Sequence, residues 1–480
     1  MTPPPIDAAA RHRRTVAAAA LAGACLLAAG CGAAPGRSGG GGAGRERLEL
    51  WALGSEGEQV QRLLPEFERR HPELRVEVQQ IPWRSAHDKL LTAFVGRSTP
   101  DLAQLGSTWI PELAAIGALA PLDEKLAGSR ALAAADFFQG SWDSGVIGRR
   151  TYAIPWYVDT RLLFYRSDLL KAAGCELPPR RWSSWRRCME LVKARAGPDG
   201  YAMLLPTNQW EEPVALSLEC GAPLLRGGGR YGDFRDPRSR RAMAFFVSIF
   251  RAGLAPPVRN FQVANRYQQI AQGVFAMYIS GPWDMGEFRR RMPPQLAGSW
   301  TTAPLPAPDE PGAAGNSSAG AGSGAPSGGA DAAAPAFGTS LVGGASLVIF
   351  KGSRHQRAAW QLIEYLAEPA VQARFYALQG DLPARRAAWQ DPALAGDPRA
   401  RAFREQLQHA VPAPKVPEWE QIATRIFDRG EAVILGRQGL DEALAALDRD
   451  VDRILEKRRW MLDHHRLGPE LLGGAAGGGR

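Results

Sequence analysis

The sequence predicts an α/β protein of two lobes, and three observations carry that reading. From Arg47 to Gly106 the hydrophobic period switches between two and 3.6 residues in the order strand, helix, strand, helix, strand, the pattern of a parallel sheet covered by helices. The span from 47 to 465 is too long for one core and suits two lobes of common size. In mid-chain, Thr151 to Gly174 reads as two apolar runs meeting at a corner, with Pro155 ending the first and Leu162 to Tyr165 forming the second. A corner there is a crossing between lobes, and Trp156, Tyr157 and Asp159 beside it have the composition of a small-molecule crevice.

The ends fall outside this fold. Arg11, Arg13 and Arg14 precede an alanine-rich apolar run from Val16 to Gly30, which suits an export signal and is short for a membrane span. Ala28, Ala29 and Gly30 directly before Cys31 resemble a bacterial lipoprotein signal, with Cys31 as the lipidated first residue of the mature chain. Cys25 is the alternative, with a shorter apolar run. Residues 1–30 are then a lipoprotein signal peptide, 31–46 a flexible tether and 466–480 a disordered glycine-rich tail. Of five cysteines, Cys175, Cys188 and Cys220 remain in the fold, which allows at most one disulfide, and no Cys/His cluster has zinc spacing. The net charge is +9, but bases alternate with acids along most of the chain, which argues against a nucleic-acid groove.

Within the fold, RLELWALG from Arg47 alternates as a strand. Val60, Leu63, Leu64 and Phe67 follow at helical spacing, with a stop at His71-Pro72. LRVEVQQIPW is a second strand, SAHDKLLTAFVGRST a second helix and PDLAQLG a third strand. Ligands of such sheets collect beyond the carboxyl ends of the strands, here at Ser55 and Glu56, Pro82 and Trp83, and Ser107 to Trp109. After the crossing, WSSWRRCMELVKAR is a helix that Ser183 or Ser184 can cap. A strand, a turn with Trp210, Glu211 and Glu212, and a helix follow, then an amphipathic helix from Asp236 that proline ends. Ala276 to Ile279 is a strand leading into the turn Ser280-Gly281-Pro282-Trp283. Residues 307–336, rich in Ala, Gly, Ser and Pro, cannot bury enough surface to offset ordering entropy and read as a disordered loop. TSLVGGASLVIFKGS is strand-like, and its glycines, Gly344 among them, let backbone approach a ligand. Helices fill the remainder to 465.

In order, L-x-L-W from Leu48, PEFERRHPELRVEV, IPW, AHDKLLTAFVGRSTPDLAQLGSTWIPELAAIGALAPLD, YAIPWYVDTRLLFYRSDLLKAAG and ISGPW resemble the extracellular solute-binding proteins of family 1, the sugar-binding subunits of ABC importers. The resemblance runs from Leu48 to about Arg459. It implies a two-lobe, periplasmic-binding-protein-like fold of class II type, with several crossing strands as hinge and the ligand cleft between the lobes. The lobes are expected at 47–155 with 349–400 and at 156–348 with 401–465, the chain crossing back near Asp397 to Phe403. In the family the loop after the strand at Ala276 faces the cleft and its tryptophan stacks on ligand, which points to Trp283. The implied protein is a monomer that captures a mono- or oligosaccharide, hands it to the permease subunits of an importer, and sits on the outer face of a bacterial membrane by its lipid anchor, with no cofactor. The loop 307–336 departs from the family.

The candidate ligand residues are Glu56, Trp83, Trp109, Trp156, Asp159, Trp210, Trp283, Gly344 and Trp419: aromatic rings for sugar faces and carboxylates for hydroxyls. Trp51, Trp142 and Trp360 read as core, and His71, His87, His355, His409, His464 and His465 as a solvated face. There is no GxSxG elbow within the fold, no HExxH, no Walker A loop and no strand-linked GxGxxG motif. A glycosidase pair could be drawn from Glu56, Asp159, Glu211 and Glu212, but acids in a sugar site serve equally as acceptors. The rival within the fold is another solute, such as a polyamine, a compatible solute or a glycerol phosphate.

Overall fold

A computed structural model describes residues 45–310 and 337–464. The expected signal peptide, Cys31, nearly all of the tether, loop residues 311–336, His465 and the tail lie outside the described residues.

The first strand, β1 (Glu46–Leu53), is buried on both faces. Leu48, Leu50 and Ala52 enter one apolar cluster, while Trp51 and Leu53 enter another, so the strand reads as a nearly continuous apolar run. Where one helix was expected there are two, α1 (Glu56–Val60) and α2 (Leu64–Arg70). Pro65 lacks an N–H and takes the first turn of the second, which restarts the helix there. Next come β2 (Leu74–Ile81), α3 (Trp83–Val95) and β3 (Leu102–Gly106). β1 pairs in parallel with both β2 and β3.

The crossing differs from its expected form. Pro155 lies inside β4 (Ala153–Thr160), and the chain turns at Arg161 into β5 (Leu162–Arg166). The ladder tolerates the proline because the register shifts there: Ala345 faces Tyr157 while Ser346 faces Pro155, a bulge that leaves Trp156 extra.

The second lobe follows with α4 (Trp182–Ala196), β6 (Tyr201–Leu204), α5 (Glu211–Glu219), α6 (Pro237–Arg251), β7 (Phe275–Ser280), α7 (Trp283–Arg291) and β8 (Trp300–Ala303). α4 begins at Trp182, so Arg181 is its cap residue and Ser184 bonds back to it. Among the described residues these strands form a four-stranded sheet in the order β8-β5-β7-β6. Cys175 and Cys188 form a disulfide, and Cys220 is a buried thiol.

The stretch expected to be disordered from 307 begins as ordered chain. The Ala307 amide donates to the Arg180 carbonyl at 2.9 Å, the Trp182 amide donates to the Ala307 carbonyl at 2.9 Å, and Leu305 and Ala307 are buried. Low apolar content did not prevent order, because main-chain pairing anchors this stem.

β9 (Ser340–Ile349) returns through the first sheet, antiparallel to β3 and β4. α8 (Gln356–Leu366), α9 (Pro369–Gln379), β10 (Leu382–Pro383), α10 (Pro398–Leu407), β11 (Ala410–Pro412), α11 (Trp419–Ile434) and α12 (Leu440–Ile454) complete the chain. The first sheet has seven strands among the described residues, β10-β4-β9-β3-β1-β2 with β11 on β9, and is therefore mixed where a parallel sheet was expected. The stretch from Asp397 to Phe403 caps and begins α10, whose buried Gln406 accepts from the Leu305 amide and donates to the Gly338 carbonyl, both at 2.8 Å.

Candidate functional site

The carboxyl ends of the first-sheet strands, the crossing at β4 and β9, and the amino ends of α5, α7 and α11 enclose a cavity of about 470 Å³, within the roughly 300–1,000 Å³ of small-ligand sites.

On the first-sheet wall, Glu56 opens α1 and is 6% exposed. Its Oε1 accepts from Trp83 Nε1 at 3.2 Å and from the Tyr157 hydroxyl at 3.0 Å, and Ser55 Oγ donates to Oε2 at 3.4 Å. The Tyr157 hydroxyl in turn accepts from Gln104 Nε2 at 2.9 Å, and Gln379 Nε2 donates to Ser55 Oγ at 2.6 Å. Burial pushes the Glu56 carboxyl above the usual range, with these donors pulling back. Trp83 and Trp109 meet edge to face at 5.5 Å.

At the crossing, Asp159 is raised to about 6, chiefly by burial, with Arg161 opposing and Glu211 reinforcing the rise. The Gly344 amide donates to it. Gly343 and Gly344 are required here: a Cβ on Gly343 would sit 2.3 Å from Asp159 Oδ1, and one on Gly344, whose φ is +112°, would sit 2.3 Å from the Tyr157 carbonyl oxygen. Behind this floor Asp381 is 1% exposed, and neither carboxylate oxygen has a hydrogen-bond partner among the described residues. Burial first, then the charges of Glu56 and Asp159, raise it well above the carboxylate range.

On the second-lobe wall, Arg161 Nη2 donates to Glu211 Oε1 at 2.7 Å, its Nη1 lies 3.9 Å from Asp159 Oδ1, and the guanidinium sits 4.6 Å over the Trp283 ring. Trp283 opens α7 rather than standing in a free turn. Trp210 and Glu420 also line the cavity.

Of the nine candidate residues, Glu56, Trp83, Trp109, Asp159, Trp210, Trp283 and Gly344 line the cavity, and two do not. Trp156 is 1% exposed and stacks on Phe375 at 4.5 Å. Successive strand residues point to opposite faces, so once Asp159 and Tyr157 face the cavity, Trp156 must face the core. Trp419 is 0% exposed, packed edge to face under Trp210 at 5.5 Å, and its neighbour Glu420 lines the cavity instead. Arg161, Glu420 and Gln379 line the cavity without having been singled out from the sequence, while Tyr157, placed beside the crossing, and Glu211, named as a possible carboxylate, line it although they stood outside the nine candidates. Period-two counting from Asp159 points to Tyr157 and Arg161; Glu420 and Gln379 carry no such signal. His87, expected on a solvated face, is half-buried, with Nε2 at 2.7 Å from Glu112 Oε2 and its ring 5.4 Å from Trp109. Trp51, Trp142 and Trp360 are buried.

Residues 51–373 match the model of the bacterial extracellular solute-binding proteins. The sugar-binding protein MalE from the phytopathogen Xanthomonas citri is 42% identical, with a TM-score of 0.77 over 87% of this chain and 99% of that one. An uncharacterized lipoprotein of Streptomyces antibioticus is 28% identical over 76% of this chain and 78% of its own. The GacH receptor of Streptomyces glaucescens, solved unliganded and with acarbose, shares the fold at 23% identity, with a TM-score of 0.73 over 86% of this chain and 99% of that one.

Proposed function

The chain belongs to the bacterial extracellular solute-binding proteins, and on that premise we propose that it captures a mono- or oligosaccharide in the cleft described above and delivers it to the permease of an ABC importer. The observation that carries the sugar class is the composition of one cavity: the indoles Trp83, Trp109, Trp210 and Trp283 beside the carboxyls Glu56, Asp159, Glu211 and Glu420. Indole surfaces suit the apolar faces of sugar rings, and carboxylates accept from hydroxyls. The 42% identity to a sugar-binding protein supports the same class. The lobes rotate about the crossing strands β4 and β9, and a ligand touching both walls shifts the population toward the closed form.

The surplus of acids favours one rival, a cationic solute such as a polyamine, and opposes a phosphate ester, which would need more than Arg161 to balance it. Thermal unfolding across a panel of sugars, polyamines and phosphate esters decides: sugars are expected to raise Tm, and a rise with amines alone overturns the assignment. The bound sugar is expected to be recovered unchanged, and its conversion to products would establish a hydrolase.

The protein acts outside the cytoplasm, in keeping with its family and with a lipoprotein among its relatives. The proposed anchor is a diacylated Cys31 on a monomeric protein, and the mass of the mature N-terminus checks it: an unmodified residue there sinks the anchor.

A further inference from the structure

One face of Trp283 is already covered: the Arg161 guanidinium sits over the ring at 4.6 Å. Gly281 lies close against the six-membered ring, where a Cβ would come within 2.0 Å of Cζ3. A sugar stacking on the covered face therefore meets Arg161 first. That side chain is fixed: it is 12% exposed, Glu211 holds Nη2 at 2.7 Å, and the Arg161 backbone is clipped at both polar atoms to buried Ser340, its N–H donating to Oγ at 3.2 Å and its carbonyl accepting from Oγ at 2.9 Å. Among the described residues only one of its five N–H donors has a hydrogen-bond partner, and Arg161 lines the cavity.

Beside those donors, at 3.9 Å, stands Asp159, an acceptor that also faces the cavity. We propose that Arg161 is the specificity-determining residue of the cleft: with Asp159 and Glu211 it reads a hydroxyl, whose oxygen accepts from the guanidinium while its O–H donates to a carboxylate. An ammonium can only donate and is repelled by Arg161. A phosphate can only accept and is repelled by Asp159 and Glu211. The row thus turns a cleft with surplus acid from a cation trap into a hydroxyl reader, and the fixed fork removes the ordering cost of a long side chain from binding.

This inference rests on the sugar reading and is tested apart from it. Binding of maltose, or of whichever panel sugar stabilises the wild type most, and of spermidine is measured by calorimetry on the purified chain and on Arg161→Gln, with unfolding in the absence of ligand recorded for each. Arg161→Gln is expected to lose about tenfold or more in sugar affinity and to gain spermidine binding that the wild type lacks. Sugar affinity within twofold of wild type, or sugar loss without spermidine gain, overturns the role. Should Arg161→Gln fail to fold, Arg161→Lys keeps the positive charge and is expected to bind sugar more weakly while still excluding spermidine; a lysine variant that admits spermidine overturns the inference. A wild type that no sugar stabilises defeats the sugar reading instead.

Discussion

The two walls of the cleft hold their carboxylates in opposite ways. On the first-sheet wall Glu56 is buried among neutral donors, Trp83, Tyr157 and Ser55, and pairs with no cation among the described residues. On the other wall Glu211 is tied to Arg161, whose guanidinium also covers Trp283. Neutral donors let a carboxyl be buried while its charge stays available to a ligand. A guanidinium instead consumes an acid and an aromatic face, and offers its remaining donors in return. The difference teaches that aromatic and acidic content does not by itself define a subsite; what already occupies each group does.

The largest effect expected in testing this contrast comes from the core beneath it. Trp156→Ala should cost about 3–5 kcal/mol of stability by removing a buried indole, with sugar affinity of the folded fraction unchanged. Lost affinity at wild-type stability would return Trp156 to the cleft.

Next is the pH response at the junction of the walls. Asp159 is raised from 3.8 to about 6, so protonation favours the ligand-free fold. Its contribution is fully present below about pH 4 and is lost as pH rises through 6, a swing of about 3 kcal/mol at roughly 1.4 kcal/mol per unit. Sugar hydroxyls favour the charged carboxylate, so affinity should rise over the same window in which ligand-free stability falls. Denaturant unfolding and calorimetry at pH 4.5 and 7 check both signs, and Asp159→Asn should flatten both; a sugar affinity that falls from pH 4.5 to 7 in the wild type would remove Asp159 from ligand contact.

The smallest effect is on the neutral wall. Tyr157→Phe removes a donor to Glu56 and the acceptor of Gln104 Nε2, leaving two buried groups short of a partner, and should cost about 1–2 kcal/mol of stability. A loss below a few tenths of a kcal/mol would show that this hydrogen-bond chain does not hold Glu56.

Much of the architecture was legible in the sequence, because hydrophobic period is a local property. β1, β2, β3 and the helices between them follow from alternation and helical spacing, and glycines at 343 and 344 marked a close approach. Six aromatic or acidic candidates, together with Gly344, line the cavity because they stand at strand and helix ends that border it. Tertiary structure alone decided which way neighbouring groups face and what meets them. Trp156 and Trp419 turn inward because pleat and packing assign their directions to the core. The stem at Ala307 is ordered by main-chain partners, Arg180 and Trp182, more than a hundred residues away. Arg161 covers Trp283, and Asp381 lies within the field of Glu56 and Asp159, only because folding joins segments that share no local pattern. Periodicity records which side of an element is apolar, whereas contacts between distant segments depend on register and crossing geometry that no short window of sequence contains.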